Sequence, residues 1–264
     1  FSCADVNNPV TVTLFVRDIS GNINSASAVV TVIDTIAPKI IVQNDTAYLD
    51  SMGMVSIAAT LFNNGSWDSC GLNTLTLSQG TFDCSDVGTQ TIIFSATDVN
   101  GNTSTANVDI TILDTIAPTI IIQDLIVYLD SFGVASITAD SVDIGTWDSC
   151  GIASITIDSS SFNCANHNDT LPVIFTATDI HGNVSFDTAT FYIYDTLAPF
   201  IFAHSDTFYL DSAGQYVVSY TQLNDGTSDN CAVDSLYLSD TLFTCSTVDS
   251  TIAIWFYALD IHGN

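Results

Sequence analysis

Apolar and polar residues alternate along much of the chain with the two-residue period of β-strands. The segments from Thr89 to Thr97 and from Thr105 to Leu113 show this alternation. Clusters of Gly, Asn, Asp and Ser separate such segments roughly every 8 to 12 residues, which is the spacing expected in an all-β sandwich. No segment sustains the period of an amphipathic helix. The pattern therefore predicts an all-β chain built from antiparallel sandwiches.

An internal repeat organises these strands. The motif D-x-x-G-N occurs four times in steps of 80, 81 and 81 residues, beginning at Asp18, Asp98, Asp179 and Asp260. A second motif, D-T-[IL]-A-P, keeps the same phase and begins at Asp34, Asp114 and Asp195. Several landmarks in one phase indicate tandem domains of one fold.

The phase of the repeat predicts four domains. Residues 1–34 should supply the C-terminal strands of a truncated Ig-like repeat, 35–114 and 115–195 two complete Ig-like repeats, and 196–264 a repeat that lacks its last strand. A proline in each D-T motif stiffens the short crossing between domains. We therefore expect Ig-like sandwiches arranged end to end, as a slice of a longer array.

The charge of the chain excludes several classes of partner. All 29 acidic residues are Asp, against one lysine and one arginine, so the formal net charge is −27. Nucleic acids and anionic membranes are bound through Lys and Arg, which predicts no nucleic-acid partner. No apolar run approaches the roughly 18 residues of a membrane span, so no membrane insertion is expected in this segment. The high charge does not predict disorder here, because 47% of residues are hydrophobic.

The seven cysteines follow the repeat. Six of them form pairs spaced by 14 residues: Cys70 and Cys84, Cys150 and Cys164, Cys231 and Cys245. A disulfide within each pair would close a short loop and stabilise its domain by roughly 3 kcal/mol, so we predict three intradomain disulfides. Cys3 occupies the second position of such a pair, so its partner would lie about eleven residues before Phe1. Disulfides indicate an oxidising location, and we expect a secreted protein, extracellular or at the cell surface.

A zinc site is the competing interpretation of the cysteines. Zinc favours C-x-x-C spacings or companion histidines, whereas the four histidines here follow no full repeat pattern. The spacing therefore favours disulfides, and buried reduced thiols stay open as an alternative.

Topology predicts that three acidic loops converge in each repeat. In an Ig-like sandwich the B-C and F-G loops lie at one end, beside the incoming linker. For the repeat 35–114, the linker brings Asp34, the loop before the third strand brings Asp68, and the last hairpin brings Asp98, Asn100 and Asn102. Like charges roughly 4 Å apart repel by about 4 kcal/mol per pair at an effective dielectric near 20. A bound cation should therefore neutralise the cluster.

The donor types favour Ca²⁺ as that cation. Asp carboxylates, Asn amides and turn carbonyls form the all-oxygen set that this ion prefers. The same constellation recurs in the following repeats at Asp114, Asp148, Asp179 and Asn183, and at Asp195, Asp229, Asp260 and Asn264. Asp50 and Asp130, in the A-B turns of the opposite pole, are weaker candidates for the next junction. A purely structural role stays open, since D-x-x-G-N is also a good hairpin turn and D-T a simple Asx-turn.

At these residues the chain resembles the hyalin-repeat (HYR) and related bacterial Ig-like modules. The family pattern is matched by D-x-x-x-P from Asp34 to Pro38, by the D-x-x-G loop from Asp68 to Gly71, and by T-D-x-x-G-N from Thr97 to Asn102. The resemblance covers the whole chain and implies tandem sandwiches in large secreted or surface-attached proteins, with junction Ca²⁺ that stiffens a rod. The last repeat departs from the pattern, because Ala232 replaces the loop glycine.

The sequence thus predicts a structural segment of a long extracellular rod, stalk or filament, stiffened by interdomain calcium and intradomain disulfides. Its expected partners are calcium, neighbouring repeats of the same chain and other copies in filaments.

The alternative is an adhesive module that binds glycans or proteins, with Trp67 and Trp147 as sugar-stacking candidates, although such residues more often pack on a neighbouring domain. Recurrent D-[ST]-aliphatic triplets resemble an O-glycosylation signal, and an Asp- and Thr-rich chain also generates them freely. No catalytic motif is found, so no enzyme is expected, and Trp255, which aligns with Ile174, is predicted to be core.

Overall fold

The computed structural model describes residues 1–248 and 250–264. Its regular structure consists of β-strands and short 3-10 turns. The chain forms two compact units, Phe1–Ile116 and Ala117–Asn264. This architecture confirms the predicted all-β class of tandem β-sandwiches, while the four domain ranges stay a prediction. Within the described residues, no helix has the length and apolar character needed to cross a membrane.

The first unit begins with a β-hairpin. After a 3-10 turn at Cys3–Asp5, β1 (Val10–Arg17) pairs antiparallel with β2 (Ile23–Val30). The first D-x-x-G-N motif makes the connection, because the Asp18 carboxylate accepts the backbone N–H of Asn22 at 2.8 Å. The same motif forms the turn of the last hairpin in both complete repeats.

Six strands of the first complete repeat follow in the first unit. They are β3 (Asp45–Tyr48), β4 (Met54–Ser56), β5 (Leu72–Leu77), β6 (Thr81–Asp83), β7 (Gly88–Asp98) and β8 (Thr103–Leu113). One sheet has the order β3-β8-β7-β5, and β4 pairs with β6 in the other. The pair β3 and β8 is parallel, unlike the other pairs of this repeat. A parallel pair is expected there because the two strands are joined through the whole repeat rather than by a hairpin. Two 3-10 turns also occur, at Ala59–Leu61 and Cys84–Asp86.

The alternation in β7 shows how the sequence builds both the core and the site. Ile92, Phe94 and Ala96 point inward and are at most 4% exposed, whereas the intervening Ile93 is 46% exposed. Burying such apolar side chains contributes about 1.5–3 kcal/mol for each large residue. The inward-facing row ends on Asp98, which is fully buried. The two-residue period therefore places a carboxylate at the end of the apolar core.

The second unit repeats this arrangement. Among its described residues the strands are β9 (Leu125–Tyr128), β10 (Val134–Ser136), β11 (Ile152–Ile157), β12 (Ser161–Asn163), β13 (Thr170–Asp179), β14 (Val184–Tyr194), β15 (Gln215–Val217), β16 (Val233–Leu238), β17 (Leu242–Thr244) and β18 (Phe256–Asp260). Four 3-10 turns accompany them, at Ala139–Ser141, Cys164–Asn166, Tyr220–Gln222 and Cys245–Thr247. Sheet β11-β13-β14-β9 matches the four-stranded sheet of the first unit, and β10 pairs with β12.

The last repeat has smaller sheets. β15 pairs with β17, and β16 pairs with β18. Residues 206–209 align with β9 but form no strand. In the described part of the chain, β18 pairs only with β16, so its second edge has no neighbouring strand.

The prediction that Trp255 belongs to the core is wrong. Trp255 is 67% exposed and Ile174, with which it aligns, is 45% exposed. In β13 the inward-facing row contains the adjacent residues Val173 and Phe175, which are fully buried. The register thus puts Ile174 and Trp255 on the outer face.

Candidate metal centre

The D-x-x-G-N turn fixes each buried aspartate by hydrogen bonds. Asp98 Oδ1 accepts the backbone N–H groups of Asn100 and Asn102, both at 2.8 Å, and its Oδ2 accepts the Asn102 side-chain amide at 2.8 Å. Gly101 closes the turn with φ of +95°, which favours glycine. Burial alone would raise the pKa of Asp98, but the hydrogen bonds from Asn102 and Asn100 outweigh it and lower that pKa. The turn therefore keeps a carboxylate ionised at the end of the core.

In the first unit, the linker aspartate meets this turn. Asp34 Oδ2 accepts the Asn100 amide at 2.8 Å, and the Asp34 backbone carbonyl accepts the Asn102 amide at 3.3 Å. Asp68, from the loop before β5, has a carboxylate oxygen within 4.8 Å of one from Asp34. The structure thus brings linker, B-C loop and F-G loop together, as the topology predicted. The two asparagine amides donate to the linker aspartate, and their role as metal ligands stays a prediction.

In the second unit, three carboxylates meet. Asp195 from the linker, Asp229 from the loop before β16 and Asp260 at the end of β18 each offer an oxygen within 4.8 Å of the others. Asp195 and Asp260 are only 3% and 2% exposed. The Asn264 amide donates to the Asp195 carbonyl at 3.1 Å and to Asp260 Oδ2 at 3.0 Å. This group contains three carboxylates, whereas the corresponding group in the first unit contains two, Asp34 and Asp68.

A pair of histidines holds the linker aspartate of the second unit. His167 Nδ1 accepts the Asp195 backbone N–H at 2.8 Å, while His262 Nδ1 donates to Asp195 Oδ2 at 3.0 Å. The two imidazole rings are stacked with centroids 3.7 Å apart. Burial and then the charge of His262 lower the pKa of His167. The histidines follow no full repeat pattern and were not predicted as site residues, although His262 occupies the motif position of Asn100 and takes over its bond to the linker aspartate.

Asn230 carries an unsatisfied oxygen at this cluster. Its amide nitrogen donates to Asp195 Oδ1 at 3.0 Å and to the Asp130 backbone carbonyl at 3.1 Å. Its Oδ1 is buried and has no hydrogen-bond partner among the described residues. Burial raises the pKa of Asp195, but the hydrogen bonds from Asn230 and His262 outweigh it and lower that pKa. The A-B turn of Asp130 therefore does contact the next acidic loop. Asn230 was not predicted as a site residue, since the aligned positions in the other repeats are Ser69 and Ser149.

The loop that carries Asp229 is held in an unfavourable backbone conformation. Ala232 has φ of +137°, in the region that Gly71 and Gly151 occupy at +103° and +110°. A non-glycine residue there costs of order 1–3 kcal/mol. The replacement of glycine therefore leaves the loop conformation unchanged, and Asp229 Oδ1 still accepts the backbone N–H groups of Cys231 and Ala232, at 2.7 and 3.1 Å.

The remaining predicted set, Asp114, Asp148, Asp179 and Asn183, has its first residue in the first unit and the other three in the second. Asp148 and Asp179 lie in the second unit and have carboxylate oxygens within 4.8 Å of each other. Asn183 donates its side-chain amide to Asp179 Oδ2 at 2.7 Å. Asp114 lies in the first unit, where its carboxylate accepts the backbone N–H of Ile116 at 3.1 Å. Cation binding by this set stays a prediction.

The predicted disulfide pairing is wrong. Cys3 bonds Cys70 and Cys164 bonds Cys231, with Cα atoms 5.2 and 5.3 Å apart and a sequence separation of 67 in both. Cys84 and Cys150 are also disulfide-bonded, whereas Cys245 is free and exposed. The predicted bonds from Cys70 to Cys84, from Cys150 to Cys164 and from Cys231 to Cys245 therefore do not form, and Cys3 needs no partner before Phe1.

Strand geometry explains the error. Cys150 precedes β11, whose Ile152 pairs with Asp179 at the end of β13, whereas Cys164 lies beside Gly133 and follows β12. β13 has ten residues, which at about 3.3 Å each span roughly 33 Å. The cysteines of one repeat thus lie at opposite poles, far beyond the Cα separation of about 7 Å that a disulfide tolerates. The bonds from Cys3 to Cys70 and from Cys164 to Cys231 instead link residues of successive repeats.

These disulfides also limit the metal chemistry. The sulfur atoms of Cys70 and Cys231 lie within 4.8 Å of acidic oxygens in both units. Both sulfur atoms are disulfide-bonded and cannot act as thiolate ligands. The donors left at the clusters are carboxylate, amide and carbonyl oxygens, together with the imidazole of His262 in the second-unit group.

Comparisons with known proteins add little beyond general architecture. No family model matches the chain, and no curated protein matches it. Among solved structures it is similar to mouse PcdhgC3 EC1-3, at 15% identity over 74% of this chain and 79% of that one, with a TM-score of 0.31. Protocadherin gammaB7 EC3-6 matches at 12% identity over 96% and 81%, with a TM-score of 0.34. The human desmocollin-1 ectodomain matches at 13% over 73% and 45%, with a TM-score of 0.25. TM-scores this low carry no inference about function.

The disulfide pairing can be tested by stability. Replacing both Cys164 and Cys231 with Ser should lower the free energy of unfolding by about 4 kcal/mol, because that bond closes a long loop. Cys245→Ser should change it little, since Cys245 is free and exposed. Urea denaturation measures both variants. Non-reducing peptide mapping that links Cys150 to Cys164 would contradict the pairing.

The ionised aspartate predicts a dependence on pH. Burial raises the pKa of Asp179, but the Asn183 hydrogen bonds outweigh it, so its pKa in the folded state is lowered. Its contribution to stability is therefore present above the unfolded pKa of about 3.9 and is lost as the pH falls through the folded value. Without calcium, Asp179→Asn should destabilise the protein at pH 7, and this difference should shrink towards about pH 2. The exposed Asp240→Asn is the control, and a pH-independent Asp179 difference would refute the argument.

Proposed function

We propose that the chain is a structural segment of a long extracellular rod, stalk or filament built from tandem Ig-like, HYR-like repeats and stiffened by calcium. The observation that carries this proposal is the group of Asp195, Asp229 and Asp260 within 4.8 Å of one another. A chain with net charge −27 and two cationic residues has almost nothing with which to neutralise it. His262 can offset one charge at most.

The donors at this cluster fit Ca²⁺. Three carboxylates and the buried, unpartnered Oδ1 of Asn230 provide hard oxygen atoms, and a cation would satisfy that oxygen. Asp195, Asp229, Asp260 and Asn230 would hold the ion. The ion would supply the positive charge that offsets repulsion of about 4 kcal/mol per close pair. His262, His167 and Asn264 would keep Asp195 in position.

Rigidity within the second unit would come from several restraints on one linker residue. Asp195 is hydrogen-bonded through its backbone N–H, its carbonyl and both carboxylate oxygens. The disulfide from Cys164 to Cys231 joins the residues on either side of it covalently. Such disulfides support a secreted or cell-surface location. We infer a structural rather than an enzymatic role, because the aspartates are engaged in the turns that build each repeat.

Calcium removal tests the proposal. EDTA should lower the melting temperature and change the maximum dimension measured by small-angle X-ray scattering, because the carboxylates would repel one another. In calorimetric titration, Asp229→Asn should weaken calcium binding about tenfold or more. Asp240→Asn changes the net charge equally, but Asp240 lies in the exposed loop between β16 and β17, so this variant should bind calcium as the wild type does. Unchanged melting temperature and dimension in EDTA would eliminate the calcium role.

An adhesive module is the second candidate. Trp67 and Trp147 are 51% and 50% exposed, so about half of each residue's surface is open to a ligand. Exposed aromatic rings can stack on sugars or bind protein hot spots. On glycan arrays, saturable binding that Trp67→Ala and Trp147→Ala abolish would favour adhesion. Trp255→Ala is the control, because Trp255 is exposed outside these loops, and binding lost equally in all three variants would argue against a specific site.

A further inference from the structure

A row of aromatic and aliphatic side chains is exposed on the outer face of the second complete repeat. β9 and β14 pair in parallel, and the register sets Ile126 beside Tyr192 and Tyr128 beside Tyr194. Ile126 and Tyr128 are 59% and 60% exposed, and the two β14 tyrosines are 36% exposed each. The rings of Tyr128 and Tyr194 have centroids 6.4 Å apart. We call these four residues the tyrosine patch, and exposed apolar patches on soluble domains often mark sites of protein contact.

Carboxylates lie at both ends of the β9 side of this patch. Asp124, Ile126, Tyr128 and Asp130 are alternate residues of one segment and all four are exposed, whereas the residues between them are buried or half-buried. Asp124 Oδ1 accepts the backbone N–H of Thr190 at 2.7 Å, so this carboxylate lies beside β14. The two-residue period of the strand therefore places the tyrosine patch between two negative charges.

The first complete repeat shows that the fold does not require this patch. At the aligned positions it has a different set of residues: Thr46, Tyr48, Thr111 and Leu113. Asn44 stands at the position of Asp124, and its Oδ1 accepts the backbone N–H of Asp109 at 2.9 Å, which is the counterpart of the bond that Asp124 makes. The sheet therefore forms without the charge of Asp124 and without the two β14 tyrosines, so these exposed side chains are available for a partner.

The charge of the second unit selects the kind of partner. The one lysine and the one arginine of the chain, Lys39 and Arg17, both lie in the first unit, so the second unit has no basic residue except histidine. A second copy would bring another strongly negative surface to this face, and like charges in contact oppose association. A partner with Arg or Lys is attracted instead, and its cationic groups bind favourably over tyrosine rings.

We propose that the tyrosine patch binds an extended protein segment rich in arginine or lysine. The cationic groups of this segment pair with Asp124 and Asp130 and lie over the rings of the three tyrosines, while its aliphatic parts cover the rest of the patch. A segment of about eight residues is long enough, because Asp124 and Asp130 are about 20 Å apart along an extended chain. The proposal uses none of the residues proposed to hold calcium or to stack on sugars.

An arginine peptide tests the proposal. A fluorescein-labelled peptide of about eight residues that alternates arginine with serine should bind the full chain saturably in fluorescence polarisation, at an ionic strength of about 0.15 M. The same peptide with citrulline, the neutral analogue of arginine, should show no binding up to about 1 mM, because the carboxylates and the rings attract positive charge. Equal binding of the two peptides, or no saturable binding of the arginine peptide up to about 1 mM, would overturn the proposal.

The first complete repeat supplies substitutions that the fold tolerates. Tyr192→Thr combined with Tyr194→Leu should weaken binding of the arginine peptide at least about tenfold, because two contacts between a cation and an aromatic ring are lost. Asp124→Asn should weaken it about threefold, because one exposed ion pair is lost while the bond to Thr190 is kept.

Two matched changes are the controls. Tyr48→Thr removes a tyrosine of the first unit that is 58% exposed, and Asp240→Asn removes one charge from an exposed loop, so both should leave peptide binding unchanged. Binding that falls equally in the controls would reveal general attraction to a negative chain and would overturn the proposal. With no peptide bound, self-association in sedimentation that the double tyrosine variant abolishes would overturn it in favour of a second copy. Glycan-array binding that the same variant abolishes, again with no peptide bound, would overturn it in favour of a sugar.

Discussion

The constraint on which the structure depends is the burial of an ionised aspartate at the end of each apolar row. A carboxylate in such a place is costly unless it is hydrogen-bonded. Asp98 and Asp260 meet that condition with N–H groups from their own D-x-x-G-N turns. The turn then presents its third and fifth residues to the linker aspartate. Core, hairpin and linker are thereby joined through one side chain, and the negative charge that results is what a cation would have to offset.

Much of this could be predicted because it follows from local rules. The two-residue period predicted the alternation within β7, and strand order then implied that Asp195, Asp229 and Asp260 meet. Both steps use only alternation and the known poles of a sandwich. Trp255 shows where alternation fails, because a shift by one residue moves a side chain from the core to solvent. The pattern of apolar and polar positions gives the period of a strand, but it does not decide which set of alternate residues faces the core.

Other features depend on distances that the sequence does not contain. Pairing cysteines 14 residues apart ignored the strands between them, which carry the chain from one pole to the other. Cys3 and Cys70 could have been matched only by considering successive repeats together. His262 was missed because repeat logic searches for identity, whereas Asn100 and His262 share only an N–H donor in the right place. Asn230 was missed for a related reason. It replaces a serine in one repeat only, so the repeat pattern did not point to it, although its longer side chain reaches Asp195.

The bond between Cys164 and Cys231 also determines how the second unit responds to pulling. Tension applied to its ends passes through the sulfur atoms, so the 67-residue separation they bridge is shielded. At about 3.5 Å per extended residue, the disulfide prevents roughly 230 Å of chain from extending under tension. Reduction would release this length and would expose the linker at Asp195 to force. The oxidation state of one cysteine pair thus sets the maximum length to which the second unit can be extended.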